Sequence, residues 1–367
     1  MGGSLTGMLG GIAAAVAILL FVTAHEAGHF LAAKATGMKA TEFFFGFGPK
    51  IWSTRRGETE YGVKALPLGG YVRIIGMNPL EEVSPEDIGR TYREKKFWEK
   101  SVVVLAGVGT NFLIAFLLFC GIFMANGMNE PTTTVDTVVD ESPAAVAGME
   151  PGDVIVSIDG EAVGEWTDAT AALVEAGPGP ATIGVERDGA LLYLETDLAE
   201  RETNPEAGYL GVAPEVVNVP VGLLESVGMA GQAVWQGVQD TFYSLYQMFR
   251  PSSLAQYFGV FGGDTDVPDE IRPVSPIGIV SIGNQAGSVA GFLGIMAYIN
   301  VILATINFLP LFPLDGGHFA VALYEKVTGR QANIRRLMPV AAAVIGTLFF
   351  LGFVAIILDI VDPISLG

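Results

Sequence analysis

The three histidines of the chain all lie in two short motifs made of residue types that bind zinc. His25 and His29 enclose a glutamate in His25-Glu26-Ala27-Gly28-His29, and His318 ends the second motif, which begins at Asn307 and contains Asp315. Residues four apart in a helix lie on one face, so His25 and His29 can bind one ion together. Catalytic zinc sites use three protein ligands and leave a fourth position for water. The sequence therefore predicts a metal site that is built on the first motif.

The carboxylate of Asp315 is the candidate for the third ligand. It lies where two prolines interrupt an apolar segment, and the two glycines after it let the backbone approach closely. Two neutral imidazoles and one carboxylate leave net positive charge on Zn²⁺, which acidifies its bound water. Glu26 can then take the proton as general base. We expect one zinc ion per chain, with the ligands His25, His29 and Asp315.

Long apolar segments carry both motifs. Half of the residues are hydrophobic, 16% are charged, and the mean hydropathy is +0.47. A transmembrane helix needs about 20 mainly apolar residues, and four segments reach that length: 8–33, 101–124, 289–311 and 339–360. Segment 220–249 mixes polar with apolar residues and is predicted to be an amphipathic interfacial helix. Because ionisable side chains within spans are costly, those of the two motifs are functional candidates.

Basic residues are concentrated in two segments between the predicted spans. Residues 34–100 hold twelve Lys or Arg and residues 316–338 hold four, whereas residues 130–225 hold two against twenty Asp or Glu. The positive-inside rule places the two basic segments in the cytoplasm. Both termini and the acidic middle segment are then extracytoplasmic, and the metal site lies near the cytoplasmic side. The net charge of −19 argues against nucleic acid as a partner.

The chain divides into four predicted regions. Residues 1–131 hold spans 1 and 2 and, at about 41–76, an alternating stretch predicted as a cytoplasm-side β-hairpin. Residues 132–214 contain short β-branched strands and Asp-Gly turns, typical of a separate α+β domain. Residues 215–287 hold the amphipathic helix and an extracytoplasmic linker, and residues 288–367 hold spans 3 and 4. The predicted fold is a polytopic α-helical membrane protein with about four transmembrane helices, a membrane-associated β-hairpin and one inserted extracytoplasmic α+β domain.

Over nearly its whole length the chain resembles the site-2 protease family of intramembrane zinc metalloproteases, in particular the bacterial regulator-of-sigma-E-protease type. The resemblance lies in the H-E-x-x-H motif of the first span, in Asn307…Pro310…Leu314-Asp315-Gly316 of the third, and in the order of parts. It implies cleavage of transmembrane segments of single-span membrane proteins, with zinc bound as above and water activated by Glu26. It also implies a multi-pass protein of the bacterial inner (plasma) membrane. The implied partners are the lipid bilayer and a substrate trimmed beforehand by another protease, such as an anti-sigma factor or a signal-peptide remnant.

Two asparagines are candidates for binding substrate. The resemblance gives Asn307 a hydrogen bond to an unwound substrate backbone, and its alternative is a cap at the helix break. Asn111 ends Gly107-Val108-Gly109-Thr110-Asn111, where the family often has Gly-Pro-x-x-Asn. The asparagine matches and the proline does not, so substrate binding and helix packing both stay open for Asn111.

The hairpin contains a glycine loop, Gly46-Phe47-Gly48, that permits close backbone contact. A transmembrane substrate must unwind to be cut, and its freed peptide groups then need new partners. Strand addition to a sheet edge supplies them. The loop also matches a re-entrant hairpin of the family that clamps substrate, so we expect Gly46, Phe47 and Gly48 to contact it. A purely structural hairpin is the alternative.

The middle domain resembles bacterial PDZ domains through Ser142-Pro143 to Val154-Ile155 and Ile158-Asp159-Gly160. The counterpart of the carboxylate-binding loop is Tyr209-Leu210-Gly211-Val212. Such a domain either binds the trimmed substrate terminus or excludes bulky untrimmed substrates by size. The twenty nearby carboxylates disfavour an acidic tail and so favour the size filter.

Two other functional classes compete with a protease. A zinc-containing membrane transporter would need further charges through the depth of the spans, and none is evident beyond the two motifs. A catalytically inactive PDZ membrane adaptor would have no chemical need for Glu26.

Overall fold

The computed structural model describes residues 2–78, 81–201, 204–268 and 271–363, without the side chains of residues 2–9, 68, 201 and 334. The chain forms two compact units. One combines Met1–Phe123 with Leu223–Gly367, and the other is Met124–Gly222. The second unit contains the range 132–214 that was expected to form a separate domain.

The first unit is mainly helical and carries the long apolar segments. Within the described residues, four helices are long and apolar enough to cross a membrane: Gly10–Ala35, Phe97–Asn126, Val289–Phe308 and Arg335–Val361. They correspond to the four predicted spans. The helices of this unit are α1 (Gly2–Ala35), α2 (Phe97–Asn126), α5 (Leu223–Met248), α6 (Pro251–Val260), α7 (Pro276–Asn284), α8 (Val289–Phe308), α9 (Asp315–Thr328) and α10 (Ile334–Val361).

The segment expected to be a linker contains helices α6 and α7. Pro251 and Pro276 each occupy a first-turn position, where the missing N–H costs nothing. Tyr257 and Val260 of α6 are buried in a cluster with residues of α10. Helix α7 packs on the first half of α1, where a Cβ at Gly10 would lie 2.8 Å from the carbonyl oxygen of Gly283. Tertiary packing therefore makes this segment helical.

A two-stranded antiparallel sheet lies between α1 and α2 in the chain. Strand β1 (Ala40–Arg56) pairs with β2 (Thr59–Ile74). Both strands bend, so that Phe44 of β1 lies opposite both Tyr71 and Gly62 of β2. The last residues of β2 thereby form one outer edge of the sheet.

The second unit is an α+β sandwich of one sheet and two helices. Its elements are β3 (Met128–Val138), α3 (Pro143–Ala147), β4 (Val154–Ile158), β5 (Glu161–Ala162), α4 (Trp166–Ala176), β6 (Gly179–Arg187), β7 (Ala190–Arg201), β8 (Asn204–Tyr209) and β9 (Val212–Val219). The strand order is β8-β7-β6-β4-β3-β9, with β5 beside β4. Asp159 and Asp188 have φ of 49° and 51°, as the predicted Asp-Gly turns require.

Candidate metal and catalytic site

Three side chains from α1 and α9 converge on one point. The Nε2 atoms of His25 and His29 are 3.1 Å apart. Oδ2 of Asp315 lies 3.1 Å from the first and 3.2 Å from the second. A tetrahedral zinc ion with bonds of about 2.0–2.1 Å holds its ligand atoms roughly 3.3 Å apart. The spacing of these three donors, one carboxylate and two imidazoles, therefore fits Zn²⁺.

Helix α2 orients the ring of His29. Nδ1 of His29 lies 2.8 Å from the carbonyl oxygen of Val103, which places the ring proton on Nδ1 and leaves the Nε2 lone pair for a metal. The ring fits only because α2 has a glycine beside it, since a Cβ at Gly107 would lie 2.2 Å from Nε2. On the other side of the contact, a Cβ at Gly28 would lie 2.6 Å from the carbonyl oxygen of Ala106. Small residues on both helices thus set the position of this ligand.

Asp315 is placed by the chain break between α8 and α9. A Cβ at Gly316 would lie 2.0 Å from the carbonyl oxygen of Phe308, and one at Gly317 would lie 2.4 Å from the Phe312 nitrogen. The two glycines therefore let the start of α9 pack directly on the backbone that leaves α8. This packing turns Asp315, the first residue of α9, toward the two histidines.

His318 belongs to the second motif but lies apart from the three donors. Its ring packs edge-on against Phe312, at 4.9 Å between centroids, and against Tyr92, at 6.4 Å. Burial lowers the pKa of His318, so the ring is neutral at neutral pH. Its surroundings fit a packed aromatic position.

Glu26 lies beside the donors and contacts the sheet. Its Oε2 accepts a hydrogen bond of 3.0 Å from the backbone N–H of Val72 in β2. Gly70 lies close by, because a Cβ at that position would be 3.7 Å from Cγ of Glu26. One carboxylate oxygen is thus held by a strand, next to the place where the metal ligands meet.

Both candidate asparagines line one cavity together with two of the three donors, His25 and Asp315. The cavity has a volume of about 220 Å³, and its lining comprises Val22, His25, Glu26, Asn111, Leu303, Asn307, Pro313, Leu314 and Asp315. Asn111 is 1% exposed, and among the described residues its Oδ1 has no hydrogen-bond partner. A buried acceptor without a donor is costly, so this oxygen is suited to a ligand that brings one.

The glycine loop of the hairpin lies at the bend of β1. Gly46 and Gly48 both have positive φ, 84° and 81°, and they pack against Lys64 and Leu66 of β2. The ring of Phe47 approaches Gly69 and is 43% exposed. The residues of the sheet that reach Glu26 are Gly70 and Val72, and the expected substrate contact of Gly46, Phe47 and Gly48 stays a prediction.

The predicted carboxylate-binding loop joins β8 to β9 in the second unit. Leu210 is buried in the core of that unit, and Gly211 has a φ of 85°. The carbonyl oxygens of these two residues accept hydrogen bonds from the N–H groups of Ala144 and Val139. Tyr209 and Val212 flank them at the strand ends.

Three residues of the site, Gly70, Val72 and Gly107, were not predicted from the sequence. The adjacent glycines Gly69-Gly70 within a strand were a usable signal, because glycine in a strand often marks a close backbone approach. Gly107 is a small residue in a predicted span, and the sequence does not indicate that it packs against His29.

Comparison with known proteins identifies the family. The sequence profile of peptidase family M50 matches residues 13–353. The chain belongs to peptidase family M50, the site-2 proteases. Among M50 relatives, zinc metalloprotease Rip1 of Mycobacterium tuberculosis is 34% identical over 96% of this chain and 97% of its own length. Metalloprotease MmpA of Caulobacter vibrioides is 29% identical over 90% of each chain.

Membership of the M50 family establishes the general chemistry. The chain is a zinc metalloprotease, zinc is its cofactor, and the family consists of membrane proteins. A solved PDZ domain of an SdrC-like protein from Listeria innocua also matches, with 17% identity and a TM-score of 0.21. The match covers 24% of this chain and 99% of that one. A likeness of that degree carries no argument about the second unit.

Proposed function

We propose that the protein is an intramembrane endopeptidase that cleaves transmembrane segments of single-span membrane proteins. The observation that carries the proposal is the meeting of His25, His29 and Asp315 beside Glu26, with both histidines inside an apolar helix long enough to cross a membrane. Charges inside a span are costly, so a full hydrolytic set at this depth serves a reaction there. The charge distribution supports a site near the cytoplasmic side, and the family resemblance supports a bacterial inner membrane.

Each residue of the site has a proposed role in hydrolysis. His25, His29 and Asp315 would hold the zinc ion, which when bound would acidify a water and polarise the scissile carbonyl. Glu26 would take a proton from the attacking water on the carboxylate oxygen that Val72 does not hold, and would later give it to the leaving amine. Both histidines are buried, 6% and 4% exposed, so the surrounding protein shields these two ligands.

The substrate backbone is held by Asn111, Asn307 and the sheet. An unwound segment exposes peptide groups that have no partner in lipid. The two asparagines offer amide groups at the cavity, and the sheet offers a strand edge. Phe47, between its two glycines, contributes a hydrophobic contact at the bend of the hairpin. Alanine at Phe47 tests this contact: cleavage at the wild-type rate would remove the loop from the substrate site.

The second unit acts as a size filter that passes substrates already trimmed by another protease. Its acidic character, with twenty Asp or Glu in residues 130–225, disfavours capture of an acidic tail. Met128 and Val219 are paired neighbours, so residues 128–219 can be excised and replaced by a short glycine linker. A filter predicts that the shortened enzyme cleaves untrimmed substrate. Loss of all cleavage, with zinc retained, supports peptide capture by Tyr209–Val212 instead.

The direct experiment is Glu26→Gln in the full-length protein in detergent or proteoliposomes. The variant is expected to retain about one zinc per chain and to lose cleavage of a model single-span substrate by roughly 10²–10⁴-fold. Cleavage that continues at the wild-type rate would contradict the assigned base. An inactive adaptor predicts no difference between the two proteins, because neither would cleave. A transporter predicts zinc movement across proteoliposomes without cleavage.

A further inference from the structure

The outer edge of β2 touches the catalytic glutamate through its backbone. Val72 lies opposite Phe43 in the sheet, yet its N–H donates to Oε2 of Glu26 at 3.0 Å. In an antiparallel pair, successive N–H groups point alternately toward and away from the partner strand. The N–H of Val72 therefore points away from β1 and toward helix α1.

The close approach of strand and helix is built into the sequence at Gly70. A Cβ at this position would lie 3.0 Å from the carbonyl oxygen of Phe44, 3.7 Å from Cγ of Glu26 and 4.0 Å from Oγ1 of Thr23. A Cβ here would be tight against Phe44 within the sheet and at ordinary van der Waals distance from α1, so a larger side chain would need room between strand and helix. Glycine leaves that room free, and the strand lies close enough to α1 for the N–H of Val72 to reach the carboxylate.

We propose that the backbone N–H of Val72 is a positioning donor for the general base. A glutamate side chain has three rotatable bonds, and a hydrogen bond to a charged acceptor is among the stronger ones that proteins use. Holding Oε2 leaves the other oxygen to act in the cavity that Glu26 lines together with His25 and Asp315. The sheet thus orients the side chain of Glu26, in addition to any contact that the sheet makes with substrate. The inference rests on the proposed role of Glu26.

Proline at position 72 removes this one donor with little damage to the sheet. Proline is tolerated on edge strands where the N–H points away from the partner, and the residue before it is already in a strand conformation. Val72→Ala is the matched control, because it shortens the side chain and keeps the N–H. Incorporating the α-hydroxy analogue of valine at position 72 removes the same N–H without the proline ring, and is the second test if the proline variant does not fold.

The expected result is a fall in kcat of about 10- to 100-fold at unchanged KM and unchanged zinc content, for a model single-span substrate. The fall is bounded by the loss in Glu26→Gln, since positioning cannot contribute more than the base itself. Val72→Ala measures the contribution of the side chain alone, and the kcat of the proline variant should lie about tenfold or more below that of Val72→Ala, which keeps the N–H. A merely structural role of Val72 would change zinc content or folding together with kcat.

Two results would overturn the inference. A rise in KM at unchanged kcat would mean that the N–H of Val72 serves the substrate backbone and not the base. Unchanged kcat and KM would mean that it serves neither. The Glu26→Gln enzyme separates this failure from a failure of the proposed function. If Glu26→Gln is inactive while the Val72 variants are normal, only the positioning role is wrong, whereas an active Glu26→Gln enzyme removes the base itself.

Discussion

Gly107→Ala tests the geometry of the metal site through a single methyl group. The new Cβ would lie 2.2 Å from Nε2 of His29, whereas ordinary contacts begin at about 3.4 Å, so the ring must move by about 1 Å. Zinc–nitrogen bond lengths tolerate deviations of only about 0.2 Å. The displaced imidazole therefore cannot bind zinc together with His25 and Asp315. Zinc affinity should fall by at least about 100-fold, which corresponds to about 2.8 kcal/mol, and cleavage should fall with it.

The assay is a competition between the protein and a chelator of known zinc affinity, with bound zinc measured by mass spectrometry. Gly109→Ala is the matched control on the same helix, since nothing lies within 4 Å of a Cβ at Gly109. It should keep the wild-type affinity. Wild-type zinc affinity in Gly107→Ala would refute the placement of the His29 ring against α2. Equal loss in both variants would show that any added methyl group disturbs the helix.

Three further substitutions test other parts of the account. Asn111→Ala should lower cleavage at least tenfold and leave zinc content unchanged. Thermal stability should be unchanged or improved, because the substitution removes a buried oxygen without a described partner. A helix-packing role of Asn111 predicts lost stability instead. Gly316→Ala should lose zinc, since its Cβ would lie 2.0 Å from a backbone carbonyl oxygen, whereas Gly346→Ala, with nothing within 4 Å, should keep it. Asp153→Asn should speed hydrogen exchange in residues 124–222 of the full-length protein roughly tenfold, because it breaks the buried pair with Arg187 at 2.6 Å. The hydrogen bonds from Arg187 lower the pKa of Asp153. The stabilisation is therefore complete above the unfolded pKa of about 3.9 and is lost as the pH falls through the lower folded value, so wild type and variant should converge in acid.

Much of the site could be predicted from the sequence because its chemistry is local and rare. An H-E-x-x-H motif fixes two ligands and a base on one helical face. Asp315 follows because two histidines need one more donor, and the apolar segment breaks beside it. The four long helices follow from apolar length alone. These inferences need no knowledge of how helices pack.

The contacts between elements could not be predicted, because they depend on packing. The sequence did not indicate that Gly70 and Val72 of the sheet lie against Glu26, and the substrate contact of Gly46-Phe47-Gly48 stays a prediction. Which glycines approach the helix depends on the bend that pairs Phe44 with both ends of β2. Similarly, the Gly- and Pro-containing segment before α8 was expected to be a linker. It forms two helices because its apolar residues pack on α1 and α10.

The most direct test of the central claim is to map the bond that the purified enzyme cuts. A single-span model substrate would be incubated with wild type and with Glu26→Gln in proteoliposomes, and the product ends would be read by mass spectrometry. The account predicts a new terminus inside the apolar segment, toward its cytoplasmic end, with wild type only. Cleavage outside the apolar segment would contradict proteolysis within the membrane, and the same product from Glu26→Gln would contradict the role of Glu26 as the base.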